Sequence, residues 1–482
     1  MHFHRTYEES QNFCSLPHKG DDRKGRCYIP VRMQQSAVAS TRERKHNCQS
    51  IYIPTMNRSA SLAQTFAQKS DRLSLGEQYQ QIRQLSEQIC QPLEIEDYGI
   101  QTMPDVSPPK WHLAHITWFF ETFLLTPYLP NYTVFHPQYG YLFNSYYEAI
   151  GERHPRPQRG LLSRPTVEEV YRYRAYVDEA MQQLIAEQAG HAEVEALITL
   201  GLHHEQQHQE LLFTDLKHIL ATNPLHPAYC EMARLQSQAG SAQSENWLDY
   251  PGGLYSIGYA GEKFAFDNES PRHQVYLQDY YLAARLVTNG EYLEFMQAKG
   301  YETPEHWLSE GWATIRSRKW DAPLYWEQID GEWWVMTLAG LQPLNLNEPV
   351  CHVSFFEADA FARWAGKRLP TEAEWEVAAA SVPLDGNLLN TGNLHPVPAA
   401  GVTRPDQLYG DVWEWTQSAY SPYPGFKPAE GAIGEYNGKF MCNQMVLRGG
   451  SCVTPMDHVR PTYRNFFPAS ARWQFSGIRL AQ

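Results

Sequence analysis

From about Ser74 to Leu220, apolar residues recur three and four positions apart within long Gln-, Glu- and Leu-rich stretches, the period of helices that bury one face. This pattern predicts helices over 74–91, 109–125, 166–188 and 191–220. The segment from Pro127 to Pro165 has no such period and is rich in Tyr, Pro and Arg, so it reads as a long loop, and long loops in compact domains are usually functional. A Pro/Ala/Gln/Ser-rich stretch follows Leu220 and reads as an interdomain linker. Beyond Asp249 the chain changes to short apolar or aromatic runs broken by Gly, Pro and Asn, such as Gly253 to Gly258, His273 to Leu277 and Tyr280 to Val287. Two helical pieces interrupt them, around Asn289–Lys299 and Glu357–Ala365. The expected organisation is an extension over 1–71, a helical domain over 72–221, a linker over 222–247 and an irregular α+β domain over 248–482. There is no tandem repeat.

Composition narrows the class. At 43% hydrophobic and 20% charged residues, the chain is neither a disordered segment nor a membrane-embedded bundle. Its longest apolar stretch, around Ile116 to Leu125, is interrupted by Thr117, Glu121 and Thr122 and is too short to span a bilayer. The net charge of −14 is the wrong sign for binding phosphate backbones, which excludes nucleic acid as a partner. Residues 1–58 carry ten Lys/Arg against five Asp/Glu, so this +5 segment precedes a body at −19. It has no apolar signal core and no sustained period, and reads as a disordered extension, with Met56 as an alternative start. The later cysteines, Cys90, Cys230, Cys351, Cys442 and Cys452, show neither paired metal spacing nor disulfide-scaffold density, and fit a reducing cytoplasm.

The strongest chemical signal is Leu202-His203-His204-Glu205-Gln206-Gln207-His208-Gln209-Glu210. His204 and His208 stand at i and i+4, on one helix face about 6 Å apart along the axis, a spacing that lets two imidazoles bind one ion. They are in line with Leu197, Leu200, Leu211 and Leu212, which should face the core, where imidazoles need partners. A third imidazole can come from Trp111-His112-Leu113-Ala114-His115, and spacing alone admits either His112 or His115. Three imidazoles without a carboxylate suit Zn, Fe, Cu or Ni.

Trp111-His112-Leu113-Ala114-His115 followed by His204-Glu205-Gln206-Gln207-His208-Gln209-Glu210 resembles the DinB-like iron-binding domain of the sulfoxide synthases of ergothioneine biosynthesis. The C-terminal half separately resembles the formylglycine-generating-enzyme fold through Glu269-Ser270-Pro271-Arg272-His273, Gly366-Lys367-Arg368-Leu369-Pro370-Thr371-Glu372-Ala373-Glu374-Trp375, Gly410-Asp411-Val412-Trp413-Glu414-Trp415 and Arg448-Gly449-Gly450-Ser451. The copper-binding cysteine pair of true formylglycine-generating enzymes is not matched, since only Cys452 follows Ser451, so sulfatase activation is not expected. The resemblance runs from about residue 72 to the C-terminus. It implies an α+β protein: a DinB-like four-helix bundle followed by a formylglycine-generating-enzyme or C-type-lectin-like irregular domain.

The resemblance also implies an enzyme that joins a thiol to C2 of the imidazole of hercynine, the Nα-trimethyl form of histidine, and oxidises the sulfur with O2. The implied ligands of Fe(2+) are His115, His204 and His208, with His112 behind them. A three-His centre leaves roughly three of six octahedral positions open for the reactants. A tyrosine hydroxyl is needed as proton donor; Tyr146 and Tyr147 are preferred over Tyr420 because the chain resembles the branch that carries a Tyr pair. Arg156 and Arg159, in a proline-rich loop, are the expected ligands of the thiol's carboxylate. Gln207 is expected at the hercynine imidazole and Asn465 as a polar contact. Tyr423 and Phe466 are expected as aromatic faces for the trimethylammonium. Where the branch using γ-glutamylcysteine has Trp-Asp and then Arg, this chain has Phe466, Phe467 and Ala471, which favours cysteine as the thiol. The competing functions are a histidine-C5 synthase of ovothiol type, a DinB-like zinc-dependent thiol transferase and a noncatalytic ligand-binding module.

Overall fold

Several helices begin where the chain supplies its own cap. Ser74 Oγ accepts from the Glu77 amide at 3.3 Å while the Glu77 carboxylate accepts from the Ser74 amide at 2.8 Å, opening helix α1, Leu75–Cys90. Thr166 and Glu169 form the same reciprocal pair at the start of α3, Val167–Glu187. Helix α2, Pro109–Phe120, has Pro at its first position, where the missing N–H costs nothing, and α4, Ala192–Thr222, starts after His191. The computed structural model describes residues 73–230, 246–400 and 405–482, all within one compact unit, so the predicted extension lies outside the described residues. The four helices agree with the predicted ranges to within a few residues.

The helices pack as a bundle in which α1 lies on α4, and α2 on both α3 and α4. Gly201 marks the close approach of α4 to α2: a Cβ there would meet the Phe120 ring at 2.6 Å. The bundle interior also holds charge. Glu205 of α4 accepts from Ser86 at 2.6 Å and pairs with Arg83 at 2.9 Å and Arg174 at 3.3 Å, so one buried carboxylate ties α1, α3 and α4 together. Beyond Phe120 the chain continues in a π turn, Glu121–Leu125, in which Thr126 Oγ1 donates to the Glu121 carbonyl. The buried Glu121 side chain accepts from Tyr132, the Phe135 amide and Tyr173, and so anchors the long loop that follows.

Residues 231–245, most of the predicted linker, lie outside the described residues. Its first part is tied down: the Tyr229 amide donates to the Leu338 carbonyl at 2.8 Å and the Tyr229 hydroxyl to the Ile89 carbonyl at 2.7 Å. Among the described residues, the C-terminal half is built of short strands in four small sheets, ordered β1-β4, β2-β3, β5-β6-β7 and β10-β9-β8-β11. These are β1 Trp247–Tyr250, β2 Gly253–Ile257, β3 His273–Leu277, β4 Tyr280–Ala283, β5 Trp326–Ile329, β6 Glu332–Thr337, β7 Gly340–Pro343, β8 Trp413–Ala419, β9 Gln444–Arg448, β10 Asn465–Pro468 and β11 Ser476–Gly477. The helices α5, Asn289–Gln297, and α7, Phe355–Trp364, occur as expected. Two others, α6, Ser309–Arg318, and α8, Glu372–Ala379, were not expected: α6 buries only Gly311 and Ile315, too few to set a period, and α8 is barely two turns long.

Helix α4 is shared by both halves. The buried Glu210 carboxylate accepts from Trp413 Nε1, from Ser451 Oγ at 3.1 Å and from Thr454 Oγ1 at 2.8 Å, while Gln206 donates to Asp457 at 2.7 Å. Burial pushes the Glu210 carboxyl up, and these three donors hold it down. Trp413 is thus a core residue that also fastens the two halves.

Candidate metal centre and substrate site

Helix α2 brings His115, and α4 brings His204 and His208, to one buried point where a ligand nitrogen from each lies within 4.8 Å of the others. The hydrogen bonds on the far sides of the rings decide which nitrogens face inward. His115 Nδ1 lies 2.6 Å from the Phe143 carbonyl, which can only accept, so Nε2 keeps the lone pair, 3.2 Å from His204 Nε2. His208 Nδ1 is 2.8 Å from His112 Nδ1, and His112 Nε2 is 2.9 Å from the Asp215 carboxylate. Asp215 therefore makes His112 a donor at Nε2 and an acceptor at Nδ1, so His208 donates from Nδ1 and keeps its Nε2 lone pair free. Burial holds His115 and His208 well below the ordinary imidazole range and His204 at about 3, so all three are neutral and able to ligate.

These residues fit a metal ion. Two imidazole nitrogens each about 2.1 Å from one ion and about 90° apart stand about 3 Å from each other, close to the His115–His204 separation. Aromatic rings fix the ligands: His115 lies between Trp111, stacked at 4.6 Å, and Trp118, at 5.6 Å, and Phe119 packs on His204 at 4.7 Å. His203 turns away, stacked on Phe264 at 4.0 Å.

Behind Trp111 lies Arg159, 3% exposed, with its guanidinium 3.3 Å from the indole centroid. It donates to Ser107 at 2.9 Å and Ser145 at 3.3 Å, and its Nε has no partner. No carboxylate among the described residues pairs with it. Burial, and then the nearby Arg156, act against its charge, while Asp215 favours it from beyond ion-pair distance. Arg156 does not join it: it is exposed and donates to the Asp105 carbonyl, because the turn Arg156–Leu161 sends the two arginines in different directions.

Tyr147 is fully buried between Trp118 and Phe123, at 5.8 and 5.1 Å, and its hydroxyl makes no well-formed hydrogen bond. Tyr146 packs on it at 4.6 Å. A clasp from the C-terminal half holds this loop: Glu435 accepts from the Glu148 and Ala149 amides at 3.0 and 2.9 Å, and Lys439 donates to the Tyr146 carbonyl. Tyr420 is engaged with other groups, its hydroxyl accepting from Asn268 Nδ2 at 2.9 Å and its ring stacked on Phe466 at 4.0 Å. Phe466 is linked to Tyr146 through Phe440. Asn465 accepts from the Phe466 amide at 2.9 Å.

Two expected substrate contacts stand elsewhere. Phe467 packs on Trp473 at 5.8 Å, because successive residues of β10 point to opposite faces, so it cannot share a pocket with Phe466. Tyr423 lies in a separate apolar cluster with Ile257 and Leu282, with the Arg464 guanidinium 4.0 Å from its ring centroid. The structure adds two residues without a sequence signal. Tyr436 places its ring 5.7 Å from His204, and both Tyr436 and Tyr463 bond to Gln207. They lie more than 220 residues from Gln207, in turns with no period.

Among known proteins, residues 78–212 match the DinB superfamily, and residues 233–401 and 400–482 match the sulfatase-modifying factor enzyme 1-like domain. A formylglycine-generating enzyme of Streptomyces coelicolor is 31% identical over 42% of this chain and 76% of its own length. Ergothioneine biosynthesis protein 1 of Schizosaccharomyces pombe is 28% identical over 45% of the chain and 28% of its own length. Hercynine oxygenase of Mycolicibacterium smegmatis is 32% identical over 79% of this chain and 92% of its own length, so the match takes in both the helices that carry the three histidines and the domain fastened to them. Likeness of that extent across both halves shows that the chain belongs to the hercynine oxygenase family.

Proposed function

We propose that the chain joins cysteine to C2 of hercynine with O2 as the oxidant, on iron(II) held by His115, His204 and His208, as the sulfoxide synthase of ergothioneine biosynthesis. Thiol S–H and imidazole C2–H are lost, a C–S bond forms, and the two oxygen atoms end in the sulfoxide and in water. The observation that carries this is the pairing of three neutral, converging imidazoles with a buried guanidinium that has no carboxylate partner. Iron(II) bound there supplies the redox chemistry that couples oxygen reduction to sulfur oxidation.

The chain's own residues supply binding and proton delivery. Arg159 takes the carboxylate of the thiol substrate, which gives its buried guanidinium a direct counter-charge. Gln207 meets the imidazole of hercynine. Tyr147 holds a proton on a buried hydroxyl beside that of Tyr146, and burial keeps that proton on oxygen by raising the phenol well above its ordinary range. Free cysteine is the preferred thiol because Phe466 lies among aromatic rings and Ala471 is buried, so neither offers a partner to the charges of a γ-glutamyl group. Among the described residues, free thiols at Cys90, Cys351, Cys442 and Cys452 support a cytoplasmic location. No helix among the described residues is long and apolar enough to cross a membrane.

The test is to load the protein anaerobically with iron(II), add hercynine, cysteine and oxygen, and identify the product by mass and by the ring carbon that bears sulfur. A C2 sulfoxide adduct formed with a lower KM for cysteine than for γ-glutamylcysteine is expected. Oxygen uptake without an adduct would overturn the synthase function, and sulfur at C5 would make the enzyme ovothiol-type.

A further inference from the structure

Gln207 sits on α4 directly before His208, half-buried, and its amide is gripped from two sides by tyrosines of the C-terminal half. Its Nε2 donates to the Tyr463 hydroxyl at 2.7 Å, and its Oε1 accepts from the Tyr436 hydroxyl. The network extends further. The Tyr463 hydroxyl is also 3.0 Å from His458 Nε2, and His458, kept neutral by burial, has its Nδ1 3.0 Å from His203 Nδ1. Five side chains from both halves thus form one chain of hydrogen bonds that ends at Tyr436, beside His204.

The rings that carry these hydroxyls are fixed. Tyr436 stacks on Phe266 at 5.5 Å with an interplanar angle of 11°, and Tyr463 meets Trp413 edge-on at 5.4 Å. A carboxamide is nearly symmetric in shape, and only its partners decide which end carries oxygen. Here a donor faces one end and an acceptor the other. One N–H and one oxygen lone pair of Gln207 stay uncommitted, and an imidazole presents one donor nitrogen and one acceptor nitrogen.

We propose that Tyr436 and Tyr463 are positioning residues that lock the Gln207 amide and thereby decide which nitrogen of the substrate imidazole it meets. The inference rests on the proposed function, since it takes hercynine as the imidazole. It places selection of the substrate's orientation at the junction of the two halves: the helical half holds the metal ligands and the amide, and the C-terminal half aims the amide. Each tyrosine acts through Gln207.

The test uses Tyr436→Phe and Tyr463→Phe, which delete one hydroxyl and keep the ring. Hercynine affinity is measured by calorimetry on anaerobic iron(II)-loaded protein and on metal-free protein, and KM and kcat are measured for both substrates. Each variant should lose about tenfold in hercynine affinity, the worth of one hydrogen bond, in both metal states. The KM for the thiol should stay at the wild-type value. In a Gln207→Leu background neither tyrosine change should cost anything more, because the amide through which they act is gone. Unchanged hercynine affinity in both variants, or a loss that persists in full in the Gln207→Leu background, would overturn the proposal. Should a Phe variant fail to fold, Gln207→Glu keeps the acceptor for Tyr436 and removes the donor to Tyr463; it should weaken hercynine binding, and unaltered binding would also overturn the proposal. Wild-type protein that binds no hercynine at all would defeat the proposed function instead, so the two failures are distinct.

Discussion

Asp215 accepts from the Ser107 amide at 2.8 Å as well as from His112, and this carboxylate decides which nitrogen of His208 is free. In Asp215→Ala, His112 loses its acceptor, its tautomer is no longer imposed, and His208 can present either nitrogen. Metal affinity should fall about 10- to 100-fold, the usual effect of removing an outer partner of a ligating histidine. Anaerobic iron(II) titration measures it, and wild-type affinity would show that Asp215 does not set the tautomer. Tyr147 makes the opposite case, because its hydroxyl has no well-formed hydrogen bond to lose. Tyr147→Phe should keep the thermal stability of the wild type while diverting turnover from C–S bond formation to oxidation of the thiol sulfur alone. Product ratios by mass spectrometry decide it; an unchanged sulfoxide yield removes Tyr147 from the donor role.

At the scale of elements, α4 explains both what could be read from the chain and what could not. Its i, i+4 histidines and the capping pairs at Ser74 and Thr166 are local, so the helices and two metal ligands could be read from spacing alone. Glu205, one residue from His204, carries no such signal: a carboxylate in a polar run looks solvated until Arg83, Ser86 and Arg174 are folded around it. The same holds for Tyr436 and Tyr463, which are brought to Gln207 only by tertiary contacts across the two halves. Tyr423 shows the converse, since its chemistry suits a trimethylammonium while tertiary packing sets the Arg464 guanidinium over its ring. The Glu205 knot is strong for a physical reason. Glu205→Ala leaves two guanidinium groups without that buried counter-charge and should destabilise the protein by about 3–5 kcal/mol, seen as a lower denaturant midpoint. A shift under about 1 kcal/mol would mean that water or the remaining Asp178 and Glu87 contacts take over the charge.

Across the whole molecule, the buried imidazoles are gathered at the metal centre and along the seam between the halves. Burial depresses His115, His204 and His208 at the centre, His203 and His458 at one point of the seam, and His352 beside Lys217 at another. In the unfolded chain these rings take up protons as the pH falls through about 6.5. In the folded protein they resist until far lower, about 3 for His204. Between those limits the unfolded state binds more protons, so stability falls as the pH drops and is fully present only above about 6.5. Metal-free protein should therefore show a denaturation midpoint that is level near pH 7 to 8 and declines steadily from pH 6.5 to 4. Bound metal requires the neutral rings, so it should add stability at neutral pH and lose that added part over the same acid range. Chemical denaturation of chelated and loaded protein across this range measures both curves. A midpoint of the chelated protein that stays flat down to pH 5 would mean that the buried rings are already protonated or become solvated without cost, and the neutral imidazoles on which the metal centre depends would be lost with it.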